Sequence, residues 1–199
     1  MIKYFINILR FSIISCLGFG GGLALLRYIF FTVNNHNTLD VFFESFKVGL
    51  SLGFIFTVFL ILIFFLLDVS SRLIIVRDVK EPLKNQQIIW DIEQKRSVNI
   101  KGNINEVILI CRQALMEISS ISNVHQDSDK LNITAKTGIT WRSFGEIITL
   151  NFIQEEENVW QVICTSSCKN KNVIFDYAKN FENVEVWLHE VNQLINTPT

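Results

Sequence analysis

The stretch that decides the fold is VGLSLGFIFTVFLILIFFLL, residues 48–67, in which no side chain is ionisable. An α-helix rises about 1.5 Å per residue, so a helix of this length extends about 30 Å, which is the thickness of the hydrocarbon core of a bilayer. An amphipathic helix of a soluble protein shows a polar stripe with a period of about 3.6 residues, and this stretch shows none. The sequence therefore predicts a membrane-spanning helix here.

An earlier hydrophobic stretch runs from Phe11 to Phe31 and is interrupted only by Arg27. Its uncharged part is short for a span, but Arg10 and Arg27 can extend their charged ends toward opposite interfaces. A signal peptide is the alternative interpretation. The uncharged segment between Arg10 and Cys16 is too short for the apolar region of such a peptide, so the sequence favours a second, retained span.

Composition changes abruptly after residue 67. Up to that point there are four basic and two acidic residues, against 14 basic and 17 acidic residues beyond it, and 13 of the 17 phenylalanines lie before it. Nothing in the later part resembles the basic face that nucleic acid requires, so nucleic acid is not an expected partner. We predict a two-helix transmembrane hairpin, a juxtamembrane connector and a soluble domain. The corresponding ranges are 1–67 (with spans at about 8–31 and 48–67), 68–85 and 86–196.

The charges that flank the spans predict the orientation of the protein. Between the spans, the connector carries one basic residue, Lys47, at its very end. The basic residues that precede the first span and follow the second are Lys3, Arg10, Arg72, Arg77, Lys80 and Lys84. Because basic residues concentrate on the cytoplasmic side, we expect a protein of the cell membrane with both termini in the cytoplasm. The cysteines would then lie in a reducing compartment and need not pair.

Both spans carry glycines four residues apart, at Gly18 and Gly22 in the first and at Gly49 and Gly53 in the second. Without side chains at these positions, two helix backbones can approach closely. One interpretation is that the spans pack against each other within one chain. The other is that one glycine face also drives self-association of several chains through the spans.

The connector between the spans has a helical spacing of apolar residues, at Leu39, Phe42, Phe43 and Phe46. This spacing predicts either a short amphipathic helix in the outer membrane interface or the first turns of the second span. The sequence does not distinguish between these two interpretations.

The soluble domain is predicted to contain two amphipathic helices. Asn103 and Glu106 have the spacing of a capping box at the start of the first helix. Cys111 falls on the apolar stripe of this helix, so we interpret it as a core residue rather than a reactive one. The second helix is predicted from about Asp176 to Ile195. Its apolar stripe consists of Tyr177, Phe181, Val184, Leu188, Val191 and Ile195, widened by Trp187 and Leu194.

Segments typical of β-strands lie before the first helix and between the two helices. Gly145, inside one such segment, indicates a bulge or a tight bend. The predicted strands lie near residues 88–100, 121–124, 131–135, 139–141, 146–153 and 159–164. This order predicts an α+β domain, in which an antiparallel sheet of about four to five strands carries two helices on one face.

No pattern in the sequence indicates an active site. The histidines, His36, His125 and His189, do not stand at a catalytic spacing from a cysteine, an aspartate or a serine. Cys164 and Cys168 are the only close cysteine pair, and alternate positions of a β-strand explain them as well as a metal site does. There is no phosphate-binding loop after a strand and no nucleophile elbow. We therefore expect no catalytic residues, no metal and no cofactor.

Two short segments resemble a pattern of small, uncharacterised bacterial domains that are anchored to membranes. Residues 143–146 read SFGE and match a Ser-x-Gly-Glu strand. Residues 176–180 read DYAKN and match an Asp-x-Gly-Lys-Asn helix start, except that Ala178 stands in place of the glycine. The resemblance extends over about residues 97–195. It implies an α+β fold, and it implies no activity.

These two segments contain the polar residues that we single out as a candidate site. Asp176 is interpreted as the cap of the last helix. The residues that we expect to hold the sheet to the start of this helix are Ser143, Glu146, Lys179 and Asn180. A ligand site made of the same residues is the alternative interpretation.

The function expected from the sequence is that of a membrane-anchored cytoplasmic binding or regulatory domain. Its expected partners are the lipid bilayer, other copies of the chain through the spans, and a cytoplasmic protein or small ligand. One alternative is an oligomeric membrane effector or pore that the soluble domain gates, although neither span offers a polar stripe to line water. An enzyme is the second alternative, and no positive signal in the sequence supports it.

Overall fold

The structure is a computed structural model, which describes residues 2–34, 38–78, 90–127, 131–171, 173 and 175–196. The chain divides into two compact units, Met1–Leu67 and Asp68–Thr199. Two long helices, α1 (Ile2–Asn34) and α2 (Thr38–Asp78), account for nearly all of the first unit, and α2 continues into the second.

Both long helices have the length and composition of membrane-spanning helices. The apolar segments that meet this test are Ile8–Asn34 and Leu39–Ile75. Only 11% of the most apolar window of each helix is buried, whereas a core helix of a soluble protein is mostly buried. Leu39, Phe42, Phe43 and Phe46 belong to α2, which is continuous from Thr38. They therefore form the first turns of the second apolar helix rather than a separate amphipathic helix.

The two helices of the first unit approach each other at three glycines. A Cβ atom on Gly49 would lie 2.4 Å from the carbonyl oxygen of Gly20, and a Cβ atom on Gly53 would lie 2.6 Å from that of Cys16. No described atom lies within 4 Å of the Cβ position of Gly18 or Gly22. The expected contact through the latter two glycines is thus replaced by one through Gly20. The reason is that Gly20 is two residues, or about 200°, around the helix from each of them.

The second unit is an α+β domain with a five-stranded antiparallel sheet, as the sequence predicts. Its strands are β1 (Gln94–Lys101), β2 (Ile121–Asp127), β3 (Asn132–Thr137), β4 (Glu146–Glu156) and β5 (Val159–Cys168), and its helices are α3 (Ile104–Met116) and α4 (Lys179–Asn196). The strand order is β1-β5-β4-β3-β2. The sheet is therefore a meander of four strands to which β1 is added beside β5.

Two predicted strand segments differ from the structure. Residues 139–141 form a turn instead of a strand, in which Thr140 makes a single bridge with Ser143. The first strand begins only at Gln94, and the predicted segment before residue 90 lies outside the described residues. Both segments contain apolar residues, which by themselves do not distinguish a strand from an exposed apolar loop.

Both α3 and α4 pack on the same face of the sheet. Along β5, buried residues alternate with half-buried ones, as they do in a strand that is covered on one face. The capping box of α3 forms as predicted, with Asn103 and Glu106 each accepting a backbone N–H. Cys111 of this helix is completely buried in the core, and burial raises the pKa of its thiol to about 12. It is a core residue, as the sequence indicates.

Candidate functional site

The predicted polar residues collect at one end of the sheet. Glu146, the first residue of β4, pairs with Cys168, the last residue of β5, and β3 ends beside them at Thr137. We refer to this as the cluster end of the domain. The opposite end carries the turn at Glu157 and Asn158 between β4 and β5, and we refer to it as the hairpin end.

Helix α4 starts at the cluster end, but three residues later than predicted. Tyr177 and Ala178 have left-handed backbone conformations, with φ angles of 45° and 57°, so the helix begins at Lys179 rather than at Asp176. Asp176 nevertheless caps this start, because its carboxylate accepts the backbone N–H groups of Ala178 and Asn180 at 3.3 and 3.4 Å. Ala178 thus adopts the conformation for which glycine is favoured, despite its Cβ atom.

Asp176 also belongs to a buried group of three charges. Arg72, near the end of α2, donates a hydrogen bond of 2.8 Å to Asp176 and bonds of 2.9 and 3.1 Å to Asp68. All three side chains are almost completely buried. We refer to Asp68, Arg72 and Asp176 as the ion triad. Burial raises the pKa of the Asp176 carboxyl, while the charge of Arg72 opposes this effect.

Asn180 connects the start of α4 to β5 and to the segment just before β1. Its amide nitrogen donates to the carbonyl of Ile92 at 2.7 Å and to the sulfur of Cys168 at 3.1 Å. Its amide oxygen accepts a hydrogen bond of 2.7 Å from Ser166 in β5. The Ser166 hydroxyl in turn accepts from Asn183 at 3.2 Å. One turn of α4 is therefore joined to the sheet by side-chain hydrogen bonds that lie inside the domain.

Glu146 is a fully buried carboxyl with several partners. It accepts hydrogen bonds from the hydroxyls of Thr137, at 2.5 Å, and of Ser143, and Asn183 also hydrogen-bonds to it. Burial raises the pKa of Glu146 above its ordinary value, and the hydrogen bond from Thr137 and the charge of Lys179 oppose this rise. The site therefore contains an acid whose neutral form is stabilised relative to that of a carboxyl group in water.

Lys179, the first residue of α4, is a second buried cation at this end of the domain, in addition to Arg72. Its ammonium group donates to Ser119, just after α3, at 2.9 Å and to Glu182 at 3.3 Å. Glu182 also accepts a hydrogen bond of 2.5 Å from Arg142 in the β3–β4 loop. Lys179 thus connects the ends of two helices and, through Glu182, the loop between two strands.

The five residues singled out from the sequence form two groups in the structure. Asp176 and Asn180 are directly hydrogen-bonded, as are Ser143 and Glu146. Lys179 acts on Glu146 through its charge. Ser166 and Asn183 link the two groups, because Asn183 hydrogen-bonds to both Ser166 and Glu146. Asp68 and Arg72 extend the first group and Thr137 extends the second. None of these five residues was predicted for the site. The sequence spacing does indicate the Asp68–Arg72 pair, because residues four apart share a helix face. It also places Asn183 one helical turn from Asn180.

Of the remaining candidates for chemistry, Cys168 joins this network as an acceptor from Asn180, whereas Cys164 and His189 do not. His189 is exposed on α4, where its ring contacts Gln193. Cys164 is buried in the core, and burial raises the pKa of the Cys168 thiol to about 12. Within the described ranges, no group of three or more histidine, cysteine or acidic side chains is placed to hold a metal ion. Comparison with protein-family models finds no match, and no curated protein matches the chain either.

Proposed function

We propose that the protein is a two-span membrane protein, with both termini in the cytoplasm, whose α+β domain is a binding and regulatory module attached to the second span. The two long apolar helices, with their exposed apolar surfaces, support membrane anchoring. The basic residues outside the spans support the cytoplasmic orientation of the domain. The regulatory role rests on the way in which the end of α2 is held in the domain.

The observation that carries the regulatory role is the ion triad. A flexible tether between a span and a domain needs no buried charges, whereas here Asp68 and Arg72 follow the apolar run directly and are buried against Asp176. Removing one partner of a buried ion pair typically costs about 3–5 kcal/mol, because the other charge remains buried. The last turns of α2 are therefore an integral part of the domain. A ligand or protein that displaces the start of α4 displaces Asp176, and Arg72 transmits the displacement to α2.

The anchoring and orientation are tested by labelling in intact cells with a membrane-impermeant thiol reagent. Thr38→Cys should react, because residue 38 lies between the spans on the outer side, and Asn196→Cys should react only after the cells are permeabilised. The unmodified chain, with its four native cysteines, gives the background. Equal labelling at both positions in intact cells would contradict the topology.

The attachment of α2 to the domain is tested by a double-mutant cycle on the full chain in lipid nanodiscs. Arg72→Met and Asp176→Asn should each destabilise the domain, and the double variant should lose about 2–3 kcal/mol less than the sum, because the two residues share one interaction. The control cycle pairs Arg96 with Glu185, which are partly exposed and should couple by about 1 kcal/mol or less. Additive effects of the Arg72 and Asp176 substitutions would show that the triad does not attach α2.

A second candidate function, an oligomeric membrane effector, is favoured by one observation. Gly18 and Gly22 lie on a face of α1 that no described atom of the chain occupies, and this leaves them available for a helix of another copy. Cross-linking in membranes distinguishes the two functions, because a regulatory module that acts as a single chain yields no product larger than one copy.

A further inference from the structure

Large apolar side chains are exposed at the cluster end of the domain. Ile139, Trp141 and Phe144, in the loop between β3 and β4, are 77%, 76% and 69% exposed. Trp90, whose ring lies 5.0 Å from the Arg72 guanidinium, is also exposed. The remaining two tryptophans of the chain, Trp160 and Trp187, are buried. An apolar surface of this kind in a soluble domain indicates a contact with another molecule or with a membrane.

The loop presents these side chains in a fixed conformation. Thr140 and Ser143 exchange two backbone hydrogen bonds of 2.8 and 3.2 Å, and this closes a tight turn around Trp141 and Arg142. The turn is held from the inside by the hydrogen bond between Ser143 and Glu146, and at its tip by the ion pair between Arg142 and Glu182. The exposed residues are therefore anchored by the buried network of the cluster end.

Further aromatic rings extend this surface toward the ion triad. The Trp141 and Tyr177 rings are 6.3 Å apart, and the Tyr177 and Phe175 rings are 6.2 Å apart. Tyr177 directly follows Asp176, which binds Arg72. Tryptophan and tyrosine are the residues that concentrate at membrane–water interfaces, because each combines an apolar ring with a polar group.

The length of α2 between the apolar run and the triad is similar to the thickness of the headgroup layer of one leaflet. Arg72 lies five residues after Leu67, which corresponds to about 7.5 Å of helix. The headgroup layer of one leaflet is about 5–8 Å thick, the difference between half of the whole bilayer and half of its hydrocarbon core. If the apolar run spans the membrane, Arg72 and the Asp176 carboxylate bound to it therefore lie at or just beyond the depth of the headgroups.

The exposed charges differ between the two ends of the domain. Lys169 and Lys171 are exposed just after β5 at the cluster end, where the backbone N–H of Lys169 donates to the carbonyl of Gly145. Two exposed acidic residues, Asp91 and Glu93, also lie at this end just before β1, so the basic charge is confined to the patch around the two lysines. The hairpin end carries three consecutive exposed acidic residues, at 155–157. Anionic lipids attract the lysine patch and repel the hairpin end.

We propose that the cluster end of the domain docks on the lipid surface of the membrane, with Ile139, Trp141 and Phe144 inserted among the headgroups and Lys169 and Lys171 against anionic lipid. This inference rests on the membrane anchoring proposed above. The bilayer is the occupant that the observations favour over a second protein, because Asp68, which directly follows the apolar run in the chain, is buried at this end of the domain. The docked surface adjoins the start of α4, beneath which the triad is buried.

Tryptophan quenching by brominated lipid tests the docking. The full chain is reconstituted in vesicles of phosphatidylcholine with about 30% phosphatidylglycerol, which supply the anionic charge. In one set of vesicles the phosphatidylcholine is brominated near the headgroup end of its acyl chains. Trp90→Phe leaves Trp141 as the exposed tryptophan, and subtracting the spectrum of the Trp90→Phe/Trp141→Phe variant isolates its emission. That variant retains only Trp160 and Trp187, which are buried, and serves as the control.

We expect bromination to reduce the Trp141 emission at least about two-fold, as for a ring at the interface, and to leave the control unchanged.

Lys169→Glu/Lys171→Glu should weaken the quenching, whereas Lys101→Glu at the hairpin end should not. Equal effects of the two changes would overturn the role of anionic lipid. Resistance to alkaline carbonate measures anchoring separately. Unquenched Trp141 in a carbonate-resistant protein would overturn the docking alone and leave a protein partner as the occupant. Extraction by carbonate would overturn the docking and the anchoring together.

Discussion

Among single residues, Glu146 has an environment that differs strongly from water. It is fully buried at the first position of β4, between the hydroxyls of Thr137 and Ser143, and the charge of the buried Lys179 acts on it. Its burial, and not a neighbouring acid, is the main cause of its raised pKa. The consequence is a defined pH dependence of stability.

We predict that the domain loses stability as the pH rises. In the unfolded chain Glu146 ionises near its ordinary pKa of 4.5, and in the folded protein it ionises only at higher pH. Between these two pKa values the folded state binds more protons, so the contribution to stability is complete below the unfolded value and is lost as the pH rises through the folded one. Burial also raises the pKa of Asp176, so the ionisation of Asp176 likewise lowers the stability of the domain as the pH rises. Thermal midpoints of the full chain between about pH 5 and pH 8 measure the effect.

Glu146→Gln should flatten this pH dependence, because an amide has nearly the same shape as a carboxyl group and does not ionise. Glu155→Gln, the same chemical change at the hairpin end, should leave the slope of the midpoint against pH as it is. A slope that Glu146→Gln does not change would show that this carboxyl ionises equally in both states.

At the scale of elements, α4 is the helix on which the domain depends, and its buried face differs slightly from the predicted stripe. Val184, Trp187 and Val191 are completely buried, while Leu188, predicted at the centre of the stripe, is only partly buried. The difference arises because the polar residues Asn180 and Asn183 also face the sheet, which places the buried face around Trp187 instead of Leu188. Trp187, predicted as a flank of the stripe, is its largest buried side chain.

We predict that Trp187→Ala lowers the free energy of unfolding of the domain by about 3–5 kcal/mol, the typical cost of removing a large aromatic side chain from a core. A domain holds only about 5–15 kcal/mol in total, so the variant should be close to unfolding. His189→Ala, two residues further along and exposed, should change stability by about 0.5 kcal/mol or less. Urea unfolding of the full chain in nanodiscs measures both. Equal, small effects would mean that α4 does not cover the core.

At the scale of the whole molecule, the glycines of α1 lie on two faces of the helix. One face packs against α2, and no described atom occupies the other. Gly20 meets the backbone of α2 at Gly49 and Gly53, so a side chain there has no room. Gly18 lies on another face, where no described atom stands in its way. The same substitution at these two nearby positions should therefore have different consequences.

We predict that Gly20→Leu separates α1 from α2, whereas Gly18→Leu leaves their contact intact. Fluorescence energy transfer is measured between labels near residues 10 and 66, at the ends of the two helices away from the connector, where the Phe11 and Phe64 rings are 6.1 Å apart. Cross-linking in membranes measures assembly in parallel. If the open face drives self-association, Gly18→Leu removes the cross-linked product while the energy transfer stays high. Loss of transfer in both variants would show that the hairpin does not distinguish the two faces.

The sequence by itself determined the features that depend on local periodicity and composition. These include the two long apolar helices, the α+β order of the second unit, the capping box at Asn103 and the core position of Cys111. Each of them follows from residues that are close together in the chain, since a stripe or a cap repeats or closes within one or two turns. The two segments that contain the candidate site were also visible in the sequence.

Only the tertiary structure decided what joins these segments. Arg72 and Asp176 are 104 residues apart, and no local pattern indicates that their charges meet in the interior. The pairing of β1 with β5, the choice of Gly20 over Gly18 and the left-handed conformation of Ala178 likewise depend on surfaces supplied by distant parts of the chain. Buried polar groups need hydrogen-bond partners. The packing of distant segments, and not the spacing of residues in the sequence, determines which groups come within reach.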